Sequence, residues 1–141
     1  MREILLLRSA PFFLSVLFPL TAMAQGFSFC DDLKDVVDAA PRQFQGVGTD
    51  AMPGAEKCGL ETAGGSSSPY RCTWKLSMGD EKSGTIWFAK RIESCFPHWK
   101  YEPDYNDAKG PRAAFDADKA EVKVSSLAGG EVAVTIVPKA E

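Results

Sequence analysis

The sequence predicts an α+β fold, in which an antiparallel sheet of about five strands has two helices packed on one of its faces. Two segments repeat apolar residues at the 3.6-residue period of a helix, and several others alternate apolar and polar residues as strands do. Four cysteines follow an apparent export signal, which predicts two disulfides. The resulting element order is α-β-β-β-α-β-β.

An export signal opens the chain. Arg2 and Arg8 are followed by an uncharged apolar run that ends at Ala22-Met-Ala24, which is the pattern of a cleaved secretory signal. The run contains Pro19 and is shorter than the roughly 20 residues that a membrane-spanning helix needs. We expect cleavage after Ala24, no membrane insertion of the product, and one disulfide-bonded domain over residues 25–141 in the periplasm or outside the cell.

The first helix is predicted just after the signal. Its apolar residues share about a third of a helical wheel: Phe29, Cys30, Leu33, Val36, Val37 and Ala40. Ser28 followed by Asp31 resembles a capping arrangement, so we expect the helix to begin at Ser28. Pro41 is expected to end it.

Three strands are expected next. Residues 44–48 predict a short first strand, and Cys58, Leu60 and Thr62 share one face of the second. Residues 70–76, the third, alternate strictly between apolar and polar side chains. If the chain folds back about Gly65, Cys58 lies opposite Cys72 and the two sulfurs come within disulfide range. Cys58–Cys72 is therefore the first predicted disulfide.

The second helix carries its apolar residues at helical spacing: Thr85, Phe88, Ile92, Cys95 and Phe96. Ser77 or Asp80 could cap it, and Pro97 ends it. Residues 83–88 suit either a helix or a strand, because glycine at position 84 weakens a helix. Since Cys95 and Cys30 both lie on apolar helix faces, Cys30–Cys95 is the second predicted disulfide.

A hairpin closes the fold. Residues 120–126 and 132–137 alternate around a glycine-containing turn. A three-residue loop at 128–130 sets Val122 opposite Ile136 and Val124 opposite Val134, which places the apolar residues on one face.

The composition narrows the function classes. The chain carries 16 basic and 19 acidic residues, and loss of the signal makes it more acidic still. This balance argues against nucleic acid or an anionic membrane as a partner. The cysteines are too widely spaced for a zinc site, and no motif indicates a cofactor, so we expect neither a metal nor a cofactor.

Catalytic residues are scarce. His98 is the only histidine, and no serine stands in a G-x-S-x-G turn that would present a nucleophile to it. We therefore predict no catalytic residue. The alternative is a small periplasmic enzyme or ligand carrier that uses His98 with a carboxylate such as Asp104.

Aromatic residues are concentrated between positions 98 and 111, a segment expected to be a loop. The expected binding residues are these rings with one more from the second helix: Trp87, His98, Trp99, Tyr101 and Tyr105. The short signal and the lack of an N-glycosylation acceptor indicate a bacterial chain. We expect a non-catalytic envelope module, for example an inhibitor- or immunity-type protein, that binds another exported protein. A structural envelope component is the second alternative, if the rings only seal the core.

Overall fold

The computed structural model describes residues 21–61, 68–76 and 80–140. The two helices are α1 (Thr21–Ala39) and α2 (Glu81–Cys95), with a short 3₁₀ turn at Ala40–Arg42. The six strands are β1 (Lys57–Leu60), β2 (Tyr70–Lys75), β3 (Lys100–Asp104), β4 (Arg112–Ala117), β5 (Ala120–Leu127) and β6 (Glu131–Pro138). Residues 1–20 of the expected signal, the turn about Gly65 and the alternative cap Ser77 lie outside the described residues.

The six strands form one antiparallel sheet in the order β1-β2-β6-β5-β4-β3. The α+β class is confirmed, but the expected five strands are six, and two of them rather than three precede α2. None of the helices in the described part of the chain is long and apolar enough to cross a membrane.

The core lies between the helices and one face of the sheet. Alternate residues of the strands point into it, and both helices add their apolar stripes. Its members without side-chain exposure include Leu33, Ile92, Cys72, Val122, Val124, Val134 and Ile136. The other face of the sheet, here called the open face, carries charged and small polar side chains, among them Lys57, Arg71, Lys123 and Glu131.

The predicted strand registers are confirmed. Cys58 faces Cys72 in β1–β2, while Val122 faces Ile136 in β5–β6. The β5–β6 turn at 128–130 contains Gly129 at φ 84° and Gly130 at φ 77°, which are backbone conformations that glycine adopts without steric cost.

Both predicted disulfides are present. Cys58–Cys72 joins β1 to β2 across a Cα–Cα distance of 4.1 Å, and Cys30–Cys95 joins α1 to α2 across 5.4 Å. No free cysteine occurs in the described residues. Because disulfides persist in oxidising surroundings, the pair indicates a protein that folds outside the cytosol.

The expected strand at residues 44–48 is wrong. Residues 43–46 form a turn, in which Gln43, Phe44 and Gly46 adopt φ values of 60°, 59° and 82°, and residues 47–48 are irregular. The Phe44 N–H donates to the Ala39 carbonyl over 2.9 Å, and the Phe44 ring packs 5.5 Å from that of Tyr70. The Phe44 side chain anchors a turn to the core. An alternating pattern cannot distinguish a buried side chain in a turn from one in a strand.

The expected start of the first helix is also wrong. α1 begins at Thr21 and continues through Ser28, whose side chain hydrogen-bonds to Asp32 within the helix instead of capping it. Residues 21–25 are largely good helix formers, so the helix does not need to begin at the first capping residue. The expected end is confirmed, since α1 gives way to the 3₁₀ turn that contains Pro41.

Residues 83–88 are helical. The Asp80 carboxylate caps α2 by accepting a hydrogen bond from the Ser83 N–H at 2.6 Å. Gly84 is buried against the sheet, and a Cβ there would lie 3.0 Å from Val132 and 3.1 Å from Leu76. The glycine that weakened the helix prediction thus allows α2 to approach β6 closely.

Two strands, β3 and β4, were not expected. β3 is an edge strand with exposed Pro103 and charged neighbours, which are the features that protect a sheet edge. β4 does alternate, but Ala113 and Ala117 are two of its three buried residues. Small apolar residues give a weak periodic signal, so the sequence of residues 112–117 resembles that of a polar loop.

Candidate functional site

A cleft of about 570 Å³ lies where both helices meet β2. We call it the aromatic cleft, and its lining is Phe29, Pro53, Gly54, Trp74, Leu76, Trp87, Phe88 and Arg91. Phe29, Trp74 and Phe88 form a buried floor, whereas Trp87 is 42% exposed. The exposed fraction of Trp87 is unusual for a ring this large, because tryptophan is highly buried on average.

Arg91 spans the cleft. Its guanidinium carbon lies 4.7 Å from the centre of the Phe29 ring and 5.2 Å from that of Trp87. Trp87 and Arg91 are four residues apart on α2, so they share one side of the helix. Stacking on these two rings fixes the orientation of the guanidinium group and does not use the hydrogen-bond donors of that group.

The floor of the cleft is fixed from below. The Trp74 indole N–H donates to the Pro53 carbonyl over 3.2 Å, which ties the 53–54 turn to β2. The Trp74 ring lies 4.7 Å from Phe88 and 6.5 Å from Phe29. Cys30–Cys95 links α1 to α2, so the two helices that carry Phe29 and Phe88 are joined covalently as well as by packing.

The other predicted binding rings form a separate group, here called the aromatic seam: Phe96, Trp99, Tyr101, Tyr105 and Phe115. Trp99 stacks on Phe96 with centroids 3.8 Å apart, and Tyr101 stacks on Phe115, its partner across β3–β4, at 4.9 Å. Trp99, Tyr101 and Tyr105 are half-buried against the core. In the described residues no ring contact joins Trp87 to the seam, so the expected single patch is two.

The hydroxyls of Tyr101 and Tyr105 are hydrogen-bonded to each other. Burial, followed by this hydrogen bond, raises the pKa of Tyr101 far above its ordinary value. The Lys90 ammonium lies 5.4 Å from the centre of the Tyr101 ring. The seam is therefore an internally satisfied cluster that closes the β3 end of the core.

His98 lies in the turn between α2 and β3 and is exposed. Its ring meets Phe96 and Trp99 at 6.5 and 6.4 Å, edge to face. Among the described residues no hydrogen bond or ion pair joins His98 to Asp104 or to any other carboxylate. The geometry does not assemble the histidine–carboxylate pair that the enzyme alternative requires.

The open face of the sheet also forms a groove, of about 640 Å³. Its charges are largely paired with one another. Arg71 lies 2.7 Å from Glu61 and donates to the Thr135 hydroxyl at 3.2 Å, Lys123 lies 3.9 Å from Glu121, and Arg112 pairs with Asp107. Exposed pairs of this kind stabilise a protein little and are typical of a solvated surface.

No group of three or more histidine, cysteine, aspartate or glutamate side chains in the described residues could hold a metal ion. The chain matches no protein-family model, no curated protein and no solved structure at a significant level. The aromatic cleft must therefore be interpreted from its own chemistry.

The sequence contained one signal for the cleft. Trp87 lies off the apolar stripe of α2, and Arg91 follows it at the spacing of one helical turn. This pair becomes recognisable only once residues 83–88 are known to be helical. Phe29 and Trp74 gave no signal, because each has the pattern of an ordinary core residue.

Proposed function

We propose that this protein is a non-catalytic binding module of the bacterial envelope, which docks another exported protein in the aromatic cleft. An inhibitor- or immunity-type role fits such a module. The observation that carries the proposal is the exposed Trp87 ring beside Arg91, above a buried aromatic floor.

Residue type and position both favour binding over packing. Tryptophan and arginine are enriched among residues that dominate binding energy, and such residues work best beside a rigid, water-excluding pocket. The cleft offers this arrangement, since its floor is buried and its helices are tied by Cys30–Cys95. A rigid site loses less conformational entropy when a partner binds.

The charge of Arg91 suggests the chemistry of the partner. No carboxylate in the described residues forms an ion pair with Arg91, so its guanidinium donors are free to bind one. A partner segment with an apolar side chain next to an aspartate or glutamate would fill the cleft and meet Arg91. Arginine holds carboxylates by two parallel hydrogen bonds, which adds specificity.

The proposed location is the periplasm or the outside of the cell, reached by cleavage of the signal after Ala24. The disulfides support an oxidising compartment. Cleavage at this point would shorten α1 without removing any residue of the described core, whose first member along the chain is Phe29.

Capture from an envelope extract of the source bacterium tests the proposal. The protein, exported from its full precursor so that both disulfides form, is expected to retain one envelope protein at near-stoichiometric amount. Trp87→Ala and Arg91→Gln should each abolish that retention, the first by removing the ring and the second by removing the charge.

Leu60→Ala is the matched control. Among the described residues Leu60 is the other large exposed apolar residue, at 54% exposure, and it lies outside the cleft on β1. Retention of the same protein by this variant and by wild type, but not by Trp87→Ala, supports the proposal. Equal retention by all variants would contradict it.

A further inference from the structure

The two edges of the sheet differ in how they are protected. The β3 edge has exposed Pro103 and charges at Lys100, Glu102 and Asp104, which discourage the addition of another strand. The β1 edge lacks proline and carries an exposed apolar residue, Leu60. Within the described residues β1 pairs only with β2.

The register shows which backbone groups of β1 point away from β2. The Glu61 N–H donates to the Pro69 carbonyl at 2.8 Å, and bonded pairs alternate along antiparallel strands. Gly59 therefore bonds toward β2, while the N–H and C=O groups of Cys58 and Leu60 point outward. The Cys58–Cys72 disulfide holds this edge in place.

The charges at the two ends of the β1 segment are self-complementary. Lys57 and Glu61 flank Gly59 at equal distances along the strand. When β1 runs antiparallel to β1 of a second copy with the two Gly59 residues opposite each other, each Lys57 faces Glu61 of the other copy. The same register pairs Cys58 with Leu60, so all the outward backbone groups of these two residues find partners.

Space and charge both suit this pairing. A Cβ at Gly59 would meet nothing within 4 Å, so the open face leaves room for the side chains of Lys57 and Glu61 on either side of Gly59. Lys57 forms no ion pair in the described part of the chain, whereas Glu61 already pairs with Arg71. If the register shifts by two residues in either direction, Lys57 no longer faces Glu61 of the other copy, and the charge complementarity is lost.

We propose that the occupant of the β1 edge is a second copy of this chain, and that two copies form a symmetric dimer by antiparallel β1–β1 pairing centred on Gly59. The dimer extends the sheet across the two-fold axis and covers the exposed side chain of Leu60. Four residues make a short ladder, so the association is weak and reversible. The aromatic cleft takes no part in this contact, and the dimer does not depend on the proposed function.

Sedimentation velocity over a concentration series tests the dimer, with the protein exported from its full chain and oxidised. We expect wild type to self-associate with a dissociation constant between about 1 µM and 1 mM. Lys57→Glu should weaken it at least about tenfold, because two attractive pairs become repulsive. Lys75→Glu, on the open face of β2, is the control and should leave it unchanged.

Mixing provides the sharpest arm of the test. Glu61→Lys alone should also be monomeric. An equimolar mixture of the two variants should form mixed dimers, because Lys57→Glu carries acidic residues at both positions 57 and 61 and Glu61→Lys carries basic residues at both. Leu60→Pro should block association in any mixture by removing an outward N–H. A wild type that stays monomeric at about 1 mM, or a mixture that fails to pair while both chains retain wild-type circular dichroism, would overturn the proposal.

Discussion

The aromatic cleft and the aromatic seam are built from the same residue types, yet they relate to solvent in different ways. In the seam the rings are buried or half-buried, as Trp99 lies flat on Phe96 and Tyr101 on Phe115. In the cleft the floor is covered, but Trp87 is left 42% exposed under the guanidinium of Arg91. The seam completes the core, whereas the cleft leaves one ring of an aromatic cluster in contact with solvent.

The difference shows that aromatic content alone does not identify a binding surface. Residues 98–105 are richer in rings than α2, but those rings satisfy one another. A binding function requires apolar area that the chain itself leaves uncovered. Four changes separate the two regions, and they follow from the largest expected effect on stability to the smallest.

Removal of the Cys30–Cys95 disulfide by a double change to alanine should have the largest effect. The disulfide closes a loop of 65 residues, and the chain-entropy model gives a stabilisation of about 4 kcal/mol for such a loop. Because the disulfide joins the two helices of the cleft, binding should weaken in parallel. Urea unfolding measures the stability of the variant. Cys58–Cys72 closes a loop of only 14 residues, so its removal should lower the free energy of unfolding by about 3 kcal/mol. Equal losses would contradict the loop-length argument.

Trp99→Ala should be the next most damaging change. It removes a half-buried ring that stacks on Phe96 at 3.8 Å. Large-to-small changes at fully buried aromatic residues cost about 3–5 kcal/mol, so we expect about 2 kcal/mol at this half-buried site. Partner binding by the folded fraction should be unchanged. A variant as stable as wild type would show that the seam is not part of the core.

Trp87→Ala should change stability by less than about 1 kcal/mol, because much of the ring is already in water. It should nevertheless abolish partner retention. Thermal unfolding and capture, measured on the same preparation, check the two halves of this prediction. A large loss of stability would mean that Trp87 serves the core as the seam residues do.

Tyr101→Phe should have the smallest effect near neutral pH and a visible one in alkali. Burial and the bond to Tyr105 hold the pKa of Tyr101 above its unfolded value. The folded protein therefore keeps a proton that the unfolded chain loses, and stability falls as the pH rises past about 10. Phenylalanine cannot ionise, so the variant should lose less stability between about pH 8 and 11. Urea unfolding across this pH range measures the stability of both proteins. An equal loss of stability in the variant and in wild type would contradict the assignment.

Much of the fold could be predicted because strong patterns and cysteines constrain it. Alternation in β2, β5 and β6 indicated the registers, and the β1–β2 register places Cys58 opposite Cys72. The apolar faces of the two helices then pair Cys30 with Cys95. β4 was missed because its core side is mainly alanine, and residues 44–48 were misassigned because a buried phenylalanine can anchor a turn.

The candidate site was harder to predict than the fold. Whether a ring is exposed depends on what other elements cover, and local sequence does not record that. Trp99 and Tyr101 lie in a segment with the composition of a loop, but pairing of β3 with β4 brings Tyr101 over Phe115. Trp87 differs in that it stays 42% exposed, although Phe88 and Arg91 contact its ring.

Site-specific photo-crosslinking tests the central claim most directly. A photoreactive phenylalanine analogue is placed at position 53, on the exposed rim of the cleft, or at position 98, in the exposed turn beside the seam, in protein exported by the source bacterium. We predict a discrete adduct with one envelope protein from position 53 and none from position 98. An adduct from position 98 alone, or none from position 53, would contradict the assignment of the aromatic cleft as the docking site.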